Sequence, residues 1–182
     1  MTWLKTSVGK PVRHGTWEMR FNLVDRIVTV KPGKAIEALK NLTLGEEYLA
    51  DHFPTFPVMP GVLMLESLVE AGAWLLRVTH DFERSLIVLH EVRNIKYASF
   101  LEPGQQMRIS MDLVEENGPL AKFKGLGEVE GKQTVSAKLT LRSSNLSDRD
   151  PQLASVDERL RQHFRDQYRL LSGHVKPASI AS

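Results

Sequence analysis

Three prolines fall within seven residues, Pro54, Pro57 and Pro60, and run into a nearly unbroken apolar stretch, "GVLMLESLVEAGAWLLRV", from Gly61 to Val78. No other stretch limits the possible folds as sharply. Each proline fixes its own φ and biases the preceding residue toward an extended shape, so "HFPTFPVMPG" should be a rigid, extended loop. Pro60 suits the first turn of a helix, where a backbone N–H has no intrahelical partner. From Val62 to Val78 apolar residues occur all round, which predicts a helix buried on most sides. Ala71, Gly72 and Ala73 should thin it enough for another backbone to approach closely. The stretch carries Glu66, Glu70 and Arg77 and is shorter than a comfortable membrane span.

The flanking sequence reads as strands. "NLVDRIVTV" at 22–30 is followed by "KPGK", a turn with Pro32 and Gly33 in suitable order. "AIEALKNLTL" alternates imperfectly and reads as a strand or a helix, with the preceding turn favouring a hairpin partner. Beyond Thr79, "SLIVLHEVRNIKYASF" has the β-branched and aromatic content of one or two strands. "QMRISMDLVEEN", "AKFKGLGEVEG" and "KQTVSAKLTLR" give three more, the last two joined near Gly131–Lys132. One long helix against a curved antiparallel sheet is an α+β architecture.

A chain of 182 residues suits one domain with an appended element, or at most two small domains. Its net charge of +2 does not argue for nucleic acid. With no cysteine, disulfides, thiolate catalysis and cysteine-ligated zinc are excluded. Residues 1–16 read as an irregular arm without the apolar stretch of a secretory signal. The expectation is a cytoplasmic protein without a membrane span. After Ser143, "SNLSDRDP" reads as a polar linker. Ser155 and Glu158 then match a capping box. Val156, Leu160, Phe164, Tyr168 and Leu171 form one stripe of an amphipathic helix with Gly173 as its stop, packed on its own domain or on a twin subunit. The division is therefore an arm at 1–16, a central domain at 17–142, and a linker, helix and tail at 143–182.

The loop and helix also carry chemistry. Histidine is the side chain closest to half-titration near neutral pH, and His52 stands at the head of the rigid loop. The N–H of Gly61 opens the helix, where unpaired donors and the helix dipole favour negative charge. Glycine there lets a ligand approach the backbone closely. Glu66 follows five residues on, roughly 7.5 Å along the axis. Its apolar neighbours Val62, Leu63 and Val69 argue for a raised carboxyl pKa, and Glu70 on the same face should raise it further. A base, an oxyanion donor and a protonated carboxyl together suit β-elimination of water from a hydroxyacyl thioester. From spacing alone, an ordinary loop histidine and a helix glutamate that snorkels to solvent are the favoured reading of these residues.

"HFPTFPVMPGVLMLE" resembles the signature of the β-hydroxyacyl-(acyl carrier protein) dehydratases of bacterial fatty acid synthesis, with His52 and Glu66 at the family's separation. "LVDRI" at 23–27, "KNLTLGE" at 40–46 and "FLEPGQQ" at 100–106 resemble its flanking blocks in the right order. The resemblance covers about residues 17–142. It implies the hot-dog fold, a long helix wrapped by a curved sheet, here with an extra C-terminal amphipathic helix. It implies a homodimer with active sites at its interface, and such dimers often assemble into trimers of dimers. By position, His52 would be the base and Glu66 of the other subunit the acid. The Gly61 N–H would bind the thioester carbonyl, and the Val58 carbonyl would orient the imidazole. The substrate would be carried on acyl carrier protein or CoA. No cofactor or metal is implied, and the spacing of His52, Glu66 and Glu70 fits no familiar ligand signature.

The chain departs from the pattern in three places. Asp51 stands where the family commonly has glycine, and Thr55 with Phe56 replaces a pair that usually begins with glycine. Glu70 replaces the usual glutamine, so it must share a proton or find a cation. The segment "KYASF" also differs from the family's usual arginine-rich block, which bears on the acyl tunnel. Met59, Met64 and Trp74 are candidates for lining that tunnel, whereas Tyr97 and Phe100 read as sheet packing. Two other readings stay open beside the dehydratase: a non-catalytic acyl-binding hot-dog subunit, and a hot-dog acyl thioesterase in which a glutamate activates water.

Overall fold

The computed structural model describes residues 22–50 and 55–173. The arm at 1–16, His14, Asp51, His52 and His174 lie outside the described residues.

Among the described residues, six strands form one antiparallel sheet in the order β1-β2-β4-β5-β6-β3. Strand β1 (Arg26–Lys31) turns into β2 (Ala35–Asn41). Pro32 and Gly33 close that turn as expected: Gly33 has φ 68° and Lys34 N–H donates to Lys31 O at 2.9 Å. The imperfect alternation of β2 has a definite cause. Ile36, Ala38 and Lys40 all point inward, so the third inward position holds a lysine. Its ammonium pairs with Glu46 at 2.8 Å and Asp25 at 3.7 Å, which offsets the cost of burying the charge.

Helix α1 (Gly61–Thr79) follows, and then β3 (Leu86–Tyr97), β4 (Gln106–Asn117), β5 (Leu120–Val129) and β6 (Lys132–Ser144). "SLIVLHEVRNIKYASF" thus forms a single strand, with irregular register after Leu89 and after Arg93, and with Asn94 at φ 53°. Helix α1 touches β2, β3, β4, β5 and β6, so the sheet wraps it. This is the hot-dog arrangement the resemblance implies. Residues Met64 through Arg77 supply the buried face of α1, but Val62 in its first turn is 68% exposed. The small residues at 71–73 admit sheet side chains rather than a backbone. A Cβ at Gly72 would stand 3.0 Å from a methyl of Leu141 and 3.2 Å from that of Met111. Gly125 in β5 does the same from the sheet side, since a Cβ there would meet Met111 Sδ at 2.7 Å and Leu68 Cδ1 at 3.1 Å.

Two short 3-10 turns, Leu146–Asp148 and Pro151–Leu153, connect β6 to helix α2 (Ala154–Ser172). The capping box does not lie at Ser155 and Glu158. It forms at Asn145 and Asp148, while α2 grows directly out of the Pro151 turn, leaving Ser155 inside the helix. Asp157 provides the anchor instead. This buried carboxylate accepts the Ser85 hydroxyl and the backbone N–H groups of Leu146 and Ser147, both at 2.9 Å. The apolar stripe of α2 packs on its own domain: Phe164 meets Trp74 edge-on at 5.9 Å, and Tyr168 meets Phe82 at 5.8 Å. Arg161 and Arg165 donate to the carbonyls of Glu83 and Asp81, fastening the helix to the turn after α1. Among the described residues no helix is long and apolar enough to cross a membrane.

Candidate active site

Two cavities lie along α1, and the proline segment delivers its residues into one of them. Val58 and Met59 are buried, and Met59 N–H donates to Leu101 O at 2.9 Å, which holds the segment against the chain before β4. Pro60 is the N-cap, with φ −54°, and Gly61 is the first helical residue. Within the described residues nothing accepts the Gly61 N–H. A cavity of about 270 Å³ opens there, lined by Val58, Met59, Gly61, Met64, Tyr97 and Phe100 among others. Gly61 does not have positive φ. What it supplies is space, since a Cβ would lie 3.1 Å from Cε1 of Tyr97. Tyr97 and Phe100 are 47% and 60% exposed, so they wall this cavity rather than pack into the sheet. Phe100 is braced edge-on by Phe56 at 5.6 Å.

Glu66 lines a second cavity, of about 320 Å³, between α1 and α2. Burial raises its carboxyl pKa, as the sequence predicts, although the exposed Val62 does not shield it. Glu70 lines the same cavity one turn on. Burial pushes the Glu70 carboxyl up to about 7. The Leu23 N–H, donating at 2.7 Å, opposes the rise, as do Trp74 Nε1–H at 3.4 Å and the nearby Arg77 charge. The repulsion of Glu66 adds slightly to it. Glu70 has thus found donors and a nearby cation. At Glu66 burial is the cause of the rise.

The chain therefore brings Val58 together with Gly61, and Glu66 together with Glu70, but in different cavities with no shared lining residue. Of the tunnel candidates, Met59 and Met64 line the Gly61 cavity and Trp74 the Glu66 cavity. Sequence reasoning read Tyr97 as sheet packing, gave Arg77 no role, and did not foresee the contribution of α2 through Phe164 and Gln167. The i, i+3 and i, i+4 spacing of Glu70, Trp74 and Arg77 was the available signal, for it places all three on one helical face. Among the described residues no group of three or more histidine, aspartate or glutamate side chains is placed to hold a metal ion.

Fold and cavities together define a hot-dog domain with acidic side chains on its central helix. Solved structures share the fold: the dehydratase heterocomplex ApeI:P from Xenorhabdus doucetiae superposes with a TM-score of 0.61 at 16% identity, covering 75% of this chain and 92% of that one. The smu.793 protein of Streptococcus mutans, solved with acetyl-CoA, does so with a TM-score of 0.53 at 11% identity, covering 73% and 98%. The model of the FabA-like domain matches residues 17–138. The 3-hydroxyacyl-[acyl-carrier-protein] dehydratases FabZ of Oceanobacillus iheyensis and Bacillus subtilis are each 33% identical over 120 residues. Those matches span 66% of this chain and 86% and 85% of the relatives. The FabZ of Exiguobacterium sibiricum is 35% identical over 120 residues, with 66% and 86% covered. The chain belongs to the FabA-like domain family.

Proposed function

We propose that this chain eliminates water from 3-hydroxyacyl thioesters, carried on an acyl carrier protein or on CoA, to give trans-2-enoyl thioesters. His52 takes the proton from the carbon next to the thioester carbonyl, and the Val58 carbonyl orients its imidazole. The Gly61 N–H holds the carbonyl oxygen as negative charge grows on it. Glu66 gives its proton to the β-hydroxyl, the carbon–oxygen bond breaks, and water leaves as the double bond forms. The proton taken by His52 returns to Glu66 directly or through water, closing the cycle. Residues 17–142 carry this chemistry, and 143–182 add a helix that shapes one cavity.

One observation carries the reading: Glu66, with its raised pKa, lies in a different cavity from Gly61. A site that needs both is completed by a second copy. The twelve-residue β3 forms an edge of the sheet and exposes Val88 and Val92, which suits pairing with its twin. The proposal is therefore a homodimer with each site built from His52 of one subunit and Glu66 of the other.

The test follows enoyl absorbance with a 3-hydroxyacyl thioester for the wild type, His52→Ala and Glu66→Gln. Turnover by the wild type and its near-complete loss in both variants is expected. Full activity in either variant overturns the assigned roles, and release of free thiol overturns the reaction.

A further inference from the structure

Arg77 has no place in the elimination. It is only 7% exposed, yet its Nε has no hydrogen-bond partner, and its guanidinium donates to no acceptor among the described residues. No described carboxylate oxygen lies within 4.0 Å of its nitrogens. The charge of Glu70 bears on the guanidinium, but that carboxyl already accepts from Leu23 and Trp74. The guanidinium instead stacks 3.8 Å over the Phe164 ring and 5.1 Å from the Trp74 centroid, lining the same cavity as Glu66. Such stacking recovers only part of what a buried cation loses on leaving water. Its fork of donors matches a planar or bidentate oxygen acceptor.

The cavity has the form of a chain-binding slot. On α1 its lining runs from Leu63 through Glu66 and Glu70 to Arg77, and Glu66 to Arg77 spans eleven residues, about 16 Å of helix. Most of the remaining wall is apolar, including Val69, Ala73 and Ile87. Helix α2 closes it with Phe164 and Gln167, so the guanidinium end belongs to the C-terminal addition as much as to the central domain. A slot for an all-hydrocarbon chain gains nothing from a guanidinium whose buried Nε has no acceptor. We propose that this slot binds acyl chains whose distal end carries an oxygen acceptor, a hydroxyl or a carboxylate, which Arg77 holds.

This inference rests on the dehydratase reading for placing the substrate's β-hydroxyl at Glu66. The test uses the full chain and 3-hydroxyacyl pantetheine thioesters of matched lengths that end in a methyl, a hydroxyl or a carboxylate. The wild type is expected to favour an oxygen-ended series by roughly 10-fold to 100-fold in kcat/KM, the worth of a hydrogen bond to a charged group. Arg77→Met should erase that preference, and Arg77→Lys should weaken it. Circular dichroism checks that the variants fold. Calorimetric binding of the same thioesters is measured in parallel. Preferential binding of oxygen-ended chains without turnover leaves this inference standing while the dehydratase reading falls. Turnover without the preference, or a preference that survives Arg77→Met, overturns the inference while the dehydratase reading stands. Which oxygen-ended series wins identifies the terminal group.

Discussion

Glu70 Oε2 accepts the backbone N–H of Leu23 at 2.7 Å, tying the middle of α1 to the chain just before β1. The contact links folding to pH. Burial raises this carboxyl to about 7, above the ordinary glutamate value, so the folded chain holds a proton that the unfolded chain has released. Stability from protonated Glu70 is complete below the unfolded pKa of about 4.5 and is lost as pH rises through about 7. Glu70→Gln cannot titrate but still offers an oxygen to Leu23. Urea denaturation at pH 5 and pH 8 should therefore show the glutamine variant gaining on the wild type, by about 3 kcal/mol at most. An equal difference at both pH values would mean that Glu70 is ionised throughout.

Asp157 has the opposite sign. Burial alone would raise its pKa, but hydrogen bonds from Ser147, Ser85 and the backbone N–H of Leu146 outweigh it and hold the carboxyl below the usual aspartate range. Its contribution is present above the unfolded pKa of about 3.9 and is lost as pH falls below that value. Asp157→Ala removes the acceptor for three donors and should cost about 2 kcal/mol or more at pH 7. The loss should be felt first at α2. Hydrogen exchange is expected to show residues 154–172 losing protection before the strands do, and uniform loss would contradict the anchoring role.

The Gly61 cavity gives a steric prediction. A methyl at position 61 would stand 3.1–3.3 Å from three atoms of the Tyr97 ring, tighter than ordinary contact. Tyr97 is half-exposed and able to yield, so Gly61→Ala should fold with little loss of stability. Its effect should fall on turnover, about 10-fold or more, because the displaced ring and the methyl would crowd the position proposed for the thioester oxygen. Tyr97→Ala in the same chain should recover part of the rate. A double variant no faster than Gly61→Ala alone would place the damage elsewhere.

The elements were legible where local pattern decides them. Alternation marked β4, the turn near Gly131–Lys132 separated β5 from β6, and the Pro60–Gly61 junction marked the start of α1 almost to the residue. Alternation faltered in β2 because Lys40 is inward, and only the distant partner Asp25 and the loop partner Glu46 make that tolerable. The capping box was misplaced because Ser155 and Glu158 satisfy the local pattern, whereas the true start of α2 is set by Asp157 reaching back to Ser85, seventy-two residues earlier. The same limit hid the floor of the slot. Arg77 looks like an ordinary charge near a helix end until Phe164, from the far end of the chain, is laid beneath it.

The proposed division of the site between two subunits makes the most decisive prediction. His52→Ala and Glu66→Gln should each be inactive as homodimers. After subunit exchange, each mixed dimer holds one site with both native residues, so an equimolar mixture should recover about a quarter of the wild-type rate. Val92 is 36% exposed on the open β3 edge, and Val92→Asp introduced into both variants should prevent recovery by blocking strand pairing. Rates are read from enoyl absorbance, and mixed dimers are counted by differential tagging. Mixed dimers without activity would place His52 and Glu66 in one subunit's site. Activity without mixed dimers would remove the need for a second copy.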